Sequence, residues 1–298
     1  MGVALSLLAM ACFAANIMIT RYAVARMPVE AGFLLVLAVN ILFPALLFCV
    51  ELGVRTTDFA WDWKAVGLFA LGGLVGTFLG RRLLFDTVRL LGPSRASVFH
   101  STAPAFALIG AWLLAGEKLG GYELSLMAVV WTGLWFTLPR SGGTVGSGSL
   151  SPATVRKGML AGLLTVAGFG IGNVFRGLAM RDWNEAVLGS VVASVAAMLC
   201  QIVATRDWGR IAAHLRAADR TTLLLYTACG VTTSLGSVFI ASAMRHMEIA
   251  LAVLIVHTTP LLIFPVSVFI LKNREELTPR TLAGALLVLL GIGLLAFR

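Results

Sequence analysis

The chain has 298 residues, of which 59% are hydrophobic and 12% charged, and its mean hydropathy is +0.93. That leaves too little polar surface to solvate a globule of this size, so a soluble enzyme or binding module is excluded and the chain must dissolve in lipid. The net charge of +9 is spread over loops and does not gather on one basic face, so nucleic acid is not an expected partner.

Ten apolar stretches follow in chain order, and they predict an all-α membrane protein with ten transmembrane helices. In the first half they cover 2–24, 30–51, 65–88, 95–116 and 121–139; in the second, 157–178, 184–205, 221–244, 248–271 and 280–297. Each is close to the ~20 residues that a helix rising about 1.5 Å per residue needs to cross ~30 Å of hydrocarbon. Barrel strands are shorter and alternate polar with apolar residues, so they do not fit. A Gly/Ser-rich stretch centred on Ser147 separates the halves. The expected organisation is a first repeat at 1–139, a linker at 140–156 and a second repeat at 157–298. An odd number of spans per half places equivalent loops on opposite membrane faces, which is the layout of an inverted-repeat transporter.

Catalytic chemistry finds little support. Cys12, Cys49, Cys200 and Cys229 all fall inside spans without metal-ligand spacing, so neither a disulfide frame, a metal site nor any cofactor is expected. A nucleophile elbow, a phosphate-binding glycine loop and a His-Glu-x-x-His site are missing. An integral membrane enzyme and a membrane scaffold without transport activity stand as the alternatives. Among the basic residues, Arg55, Lys64, Lys118, Arg176, Arg181, Arg245 and Arg298 fall on the face that carries the N-terminus. The larger share of the 23 Lys and Arg falls on the other face, with its densest cluster at Arg206, Arg210, Arg216 and Arg220. The bias of basic loops toward the cytoplasm predicts both termini outside.

One segment is more specific. It runs from Gly80-Arg81-Arg82-Leu83-Leu84-Phe85-Asp86 through Gly92-Pro93-Ser94 and His100-Ser101-Thr102-Ala103-Pro104 to Gly116-Glu117-Lys118-Leu119. With Ala241-Ser242-Ala243-Met244-Arg245, His257-Thr258-Thr259-Pro260 and Glu275-Glu276-Leu277 in the second half, it resembles the EamA family of the drug/metabolite transporter superfamily. The turn around Glu275 departs from the pattern in lacking a glycine before the acid. The resemblance implies a multi-pass secondary transporter in the inner (cell) membrane, with a small-molecule solute and the lipid bilayer as partners. Its first and sixth helices would help line a central cavity. An internal repeat is weakly visible without the family: at an offset of 156, Phe13 meets Phe169, Gly80 meets Gly236 and Pro104 meets Pro260. At 157, Asn16 meets Asn173 and His100 meets His257.

Polar residues inside the spans carry the functional expectation, because lipid burial costs several kcal/mol unless they face a cavity or a partner. Asn16, Asn173, Arg81, Arg82, His100 and His257 are the candidate solute-binding residues. His257 and His100, whose side-chain type titrates near neutral pH, are the candidates for proton coupling. Arg82 has Asp86 four residues on and can form a helix-surface ion pair; Arg81 points about 100° away and is the better candidate for solute. Arg176 is nearer a helix end and is expected to snorkel to the interface. Pro104 and Pro260 should kink the fourth and ninth helices, with Thr102, Thr258 and Thr259 supplying local hydrogen bonds. No Asp or Glu lies deep in a span, which disfavours the cation chemistry of the small multidrug relatives. The expected cargo is a small polar metabolite such as an amino acid or organic acid.

Overall fold

The computed structural model describes residues 1–54, 60–91, 99, 102–118, 120–137, 152–259, 262 and 279–296, and all regular structure among them is helical. The helices are α1 (Gly2–Ala23), α2 (Val29–Val54), α3 (63–91), α4 (Ala103–Ala115), α5 (Gly121–Thr137) and α6 (Pro152–Asp182). They continue with α7 (Ala186–Ala204), α8 (Trp208–Ala217), α9 (Arg220–Ala243), α10 (Ile249–His257) and α11 (Pro279–Ala296). Among the described residues, 6 helices are long and apolar enough to cross a membrane: α1, α2, α3, α6, α7 and α9. The other predicted spans correspond to α4, α5, α10 and α11; α4 and α10 have 13 and 9 residues, shorter than a full crossing. α6 begins at Pro152, so residues 152–156, assigned to the linker, form its first turns.

Local chemistry sets the helix ends. Asp62 accepts from the backbone N–H groups of Lys64 and Ala65 and starts α3; Asp219 accepts from Thr222 N–H and starts α9. The cluster from Arg206 to Arg220, expected to be loop, contains α8, which Asp207 caps through Arg210 N–H. Ile211 on α8 is buried with Met27, Ala31 and Tyr226, so the apolar face of this short helix packs onto the ends of α2 and α9. Gly116 ends α4 in the left-handed conformation at φ 65°, which a side chain would oppose.

Packing follows a two-repeat pattern. α1 lies against α9 and α10, while α6 lies against α3 and α4. α2 packs on α9, and α7 packs on α3. The pairs α2/α7, α4/α10 and α5/α11 also pack on one another. Exchanging α1 with α6, α2 with α7, α3 with α9, α4 with α10 and α5 with α11 therefore maps each of these contacts onto another of them or onto itself. Two aromatic contacts fix the equivalence at residue level. Phe13 of α1 lies over Gly236 of α9, 3.0 Å from where a Cβ would stand, and Phe169 of α6 lies over Gly80 of α3 at 3.2 Å. Similarly, Tyr226 of α9 presses on Gly32 of α2, and Phe69 of α3 presses on Gly189 of α7.

The aromatic pairs also explain an irregularity. Phe69 and Gly80 are one residue further apart than their counterparts Tyr226 and Gly236. α3 takes up the extra residue as a π-helical stretch, Gly73–Gly80, between regular α-helix at Trp63–Gly72 and Arg81–Leu91, whereas α9 is regular throughout. Widened turns of this kind are rare and occur often at functional sites.

Candidate functional site

The π stretch of α3 is almost free of side chains on the face toward α6. A Cβ on Gly172 would lie 2.6 Å from Gly76 Cα, and one on Gly168 would lie 3.0 Å from Val75 O, so the two backbones touch. Into this gap α6 sends Arg176. Its Nη1 donates to Asn173 Oδ1 (3.3 Å) and its Nη2 to Thr77 Oγ1 (2.6 Å). A Cβ on Gly72 would stand 2.9 Å from Arg176 Cγ, so the stem of the side chain needs glycine opposite it. Arg176 therefore does not snorkel to the interface as expected. Hydrogen bonds to α3 and to its own helix hold it between α3 and α6.

Arg81 follows the π stretch directly and points inward. Its guanidinium lies over the ring of Phe33 on α2, 5.1 Å from the centroid, and Phe33 meets Phe85 edge-on at 6.4 Å. Arg81 follows Thr77, the residue that receives Arg176, by four positions on α3. Among the described residues, no carboxylate lies within ion-pair distance of either arginine. Arg82 is exposed, as is Asp86, and the predicted ion pair between them does not form. The 100° step of the helix separates the two arginines: one enters the interior and the other leaves it.

A neutral polar patch lies on the α1/α9 side. Asn16 Nδ2 reaches Thr233 Oγ1 (2.7 Å), Cys229 O (2.8 Å) and Thr232 Oγ1 (3.3 Å), while Thr20 Oγ1 meets Cys229 Sγ at 3.4 Å. The Phe13/Phe169 equivalence pairs Thr20 with Arg176 and Asn16 with Gly172. The match of Asn16 with Asn173 in the sequence is thus one residue out of structural register. Asn16 and Asn173 do different work in different contacts: one ties α1 to α9, and the other orients Arg176.

His257 is the last residue of α10 and its Nδ1 lies 2.9 Å from Val253 O. Thr258 and Thr259 donate to Ile255 O and Val256 O, both at 2.6 Å, and Thr102 donates to Phe99 O at 2.7 Å. These hydroxyls satisfy carbonyls where the helices stop, as expected of them. Pro104 stands in the first turn of α4, where a missing N–H costs nothing, and so begins a helix instead of kinking the middle of one. His100 and Pro260 lie outside the described residues. The structure does not bring His257 into contact with Arg81 or Arg176 through any described hydrogen bond.

Glu117 belongs to a second polar centre, at the helix ends on the face of the N-terminus. The left-handed Gly116 turns the chain so that Glu117, although buried, accepts from Arg181 Nη2 (2.7 Å) and from the N–H groups of Ile249 (2.9 Å) and Ala250 (3.5 Å). Arg181 Nη1 also donates to Ala115 O at 2.7 Å. The acid of the Gly-Glu-Lys turn is therefore the negative charge at the N-terminus of α10, where the helix dipole favours it. Its role was not visible in the sequence, because Ile249 is distant in the chain and carries no side-chain signal. Nearby, Lys64 pairs with Asp182 at 2.8 Å, and Trp183 Nε1 donates to Ala60 O at 3.0 Å. An apolar groove of about 660 Å³ lined by Phe99, Met159, Leu160 and Leu163 coincides with neither centre.

Comparison with known proteins agrees with this architecture. A solved crystal structure superposes with a TM-score of 0.75 over 99% of this chain and 96% of its own, at 16% identity, which shows a shared fold. No curated protein matches. A model of the EamA-like transporter family matches residues 1–138 and again residues 156–297. The chain is a multi-pass membrane protein and belongs to the EamA-like transporter family, within the drug/metabolite transporter superfamily.

Proposed function

We propose that the chain is a secondary transporter of a small polar metabolite such as an amino acid or organic acid, working in the inner membrane by alternating access between two inverted five-helix halves. The observation that carries this reading is a pair of interior arginines, Arg176 from the second half bonded to Thr77 and Arg81 from the first half four residues after Thr77 on α3, with no acid in ion-pair distance among the described residues. Uncompensated guanidinium in a low-dielectric interior is costly, and an acidic solute supplies the missing charge. Each half donates one cation, so the solute is held by both and senses their relative motion. Crosswise packing of the helices supports the inverted arrangement, and the five apolar stretches expected from the sequence in each half support opposite orientation. Arg81, Arg176, Asn173, Thr77 and Asn16 form the solute site in this reading; Arg82 lies outside it.

Coupling to protons is assigned to His257, at the point where α10 ends beside Thr258 and Thr259. Uptake of amino and organic acids into proteoliposomes, followed against internal and external pH, tests both parts. Accumulation driven by a pH gradient is expected, and His257→Ala should flatten the pH profile without changing solute affinity. An unchanged profile would reject the coupling role. Absence of uptake for every solute, with no solute-dependent rise in melting temperature, would favour a scaffold over a transporter.

A further inference from the structure

The two halves build the same packing with different chemistry at one place. On the α1/α9 side, the counterparts of Arg176 and Arg81 are Thr20 and Ser237. On that side the described contacts run through Asn16, Thr232 and Thr233, with no cation among the described side chains. At these two equivalent positions the fold is built without arginine. On the α3/α6 side, an extra residue, a π stretch and a run of glycines coincide with the Arg176 guanidinium, and Arg81 follows the π stretch with its guanidinium over Phe33 of α2. A departure from the repeat that involves backbone, packing and charge together is accounted for by an occupant.

The donors point to its class. Arg176 spends one N–H from each terminal nitrogen on Asn173 and Thr77, which fixes its plane, and its other donors are not spent on any described carboxylate. Arg81 offers its face to Phe33, so its edge, which carries the N–H groups, is left for an oxygen ligand. Two like charges within reach of one another repel, and a ligand with a single negative charge leaves one of them uncompensated. We propose that Arg81 of α3 and Arg176 of α6 together form a site for a doubly charged oxyanion, a dicarboxylate or a phosphate monoester, beside Phe33 of α2. This deepens the transporter reading and rests on it for the site's purpose, although binding is measured separately from uptake.

The test is calorimetric titration of the full chain in phosphatidylcholine nanodiscs with succinate, glutarate and glycerol phosphate, against butyrate and alanine as singly charged or zwitterionic controls. At least one dianion should bind tenfold or more tightly than any control. Arg81→Ser and Arg176→Thr, which install the residues of the other half, should each cut dianion affinity tenfold or more and bring it near that of the controls. Arg176→Lys should restore part of it. Gel filtration and melting curves establish that each variant is folded, and the lysine variant serves if the threonine one is not. Equal affinity for dianions and monoanions, or no anion binding, would overturn the site. So would stabilisation by phosphatidic acid in the nanodisc with no response to soluble anions, which would identify the occupant as a lipid headgroup. Tight, arginine-dependent dianion binding without uptake would uphold the site and overturn the transporter reading.

Discussion

Arg176 and Arg181 lie five residues apart on α6, and their surroundings could hardly differ more. Arg181 is half-exposed, yet its charge is met by the buried carboxylate of Glu117, which also serves the first N–H groups of α10. Arg176 is further inside, held by an amide oxygen and a hydroxyl, and no acid among the described residues pairs with it. A compensated charge of the first kind ties helix ends together and contributes stability. One without compensation costs stability until a ligand arrives, which is what a binding site does. The contrast separates structure from function on a single helix.

The largest expected effect breaks the compensated side. Glu117→Gln removes the carboxylate that joins the α4–α5 turn to α6 and α10, and should cost about 2–3 kcal/mol, less than the ~3–5 of a fully buried pair because Arg181 retains access to solvent. Unfolding in mixed detergent micelles measures it, and unchanged stability would show that the pair holds nothing together. The opposite side should respond weakly. Arg176→Thr, measured without anion, should change stability by less than about 1 kcal/mol and in the stabilising direction, because an uncompensated charge is removed and Thr20 already fills the equivalent place. A loss as large as that of Glu117→Gln would erase the distinction between the two arginines.

The smallest effect concerns the exposed end of α9. Asp219 is held below its ordinary value of 3.8, first by the Thr222 hydroxyl and then by the Thr222 N–H and Arg26. A lowered carboxylate pKa contributes stability that is fully present above the unfolded value, and this contribution is lost as pH falls through the lower folded one. Stability should therefore decline slightly more in the wild type than in Asp219→Asn between pH 5 and pH 3. Parallel curves would show that this exposed acid contributes nothing beyond its cap.

Much of this organisation is legible in the residues themselves. Apolar runs of membrane length, a central Gly/Ser stretch and recurring Phe, Gly and Pro positions reveal a duplicated helical membrane protein, since hydropathy depends on local composition alone. The division of labour between Arg81 and Arg82 is also local, because a 100° step per residue sends neighbours to different faces. Arg176 is the opposite case. Its nearness to a helix end predicts snorkelling, and nothing near it in sequence reveals that Thr77, some hundred residues earlier, receives it. Asn16 and Asn173 likewise looked equivalent until the contacts of Phe13 and Phe169 set the register.

What the sequence by itself determined is the solvent, the helical class and the family, because each follows from composition and short-range pattern. What only the tertiary structure decided is which polar groups meet. The one-residue excess in α3 becomes a π stretch only when Phe69 and Gly80 are pinned against α7 and α6. Glu117 becomes a helix cap only when α10 is brought to it. Arg176 reaches Thr77, one turn before Arg81, only when α3 and α6 close on their glycines. Charge compensation is a sum over neighbours in space, and chain separation carries no information about that sum.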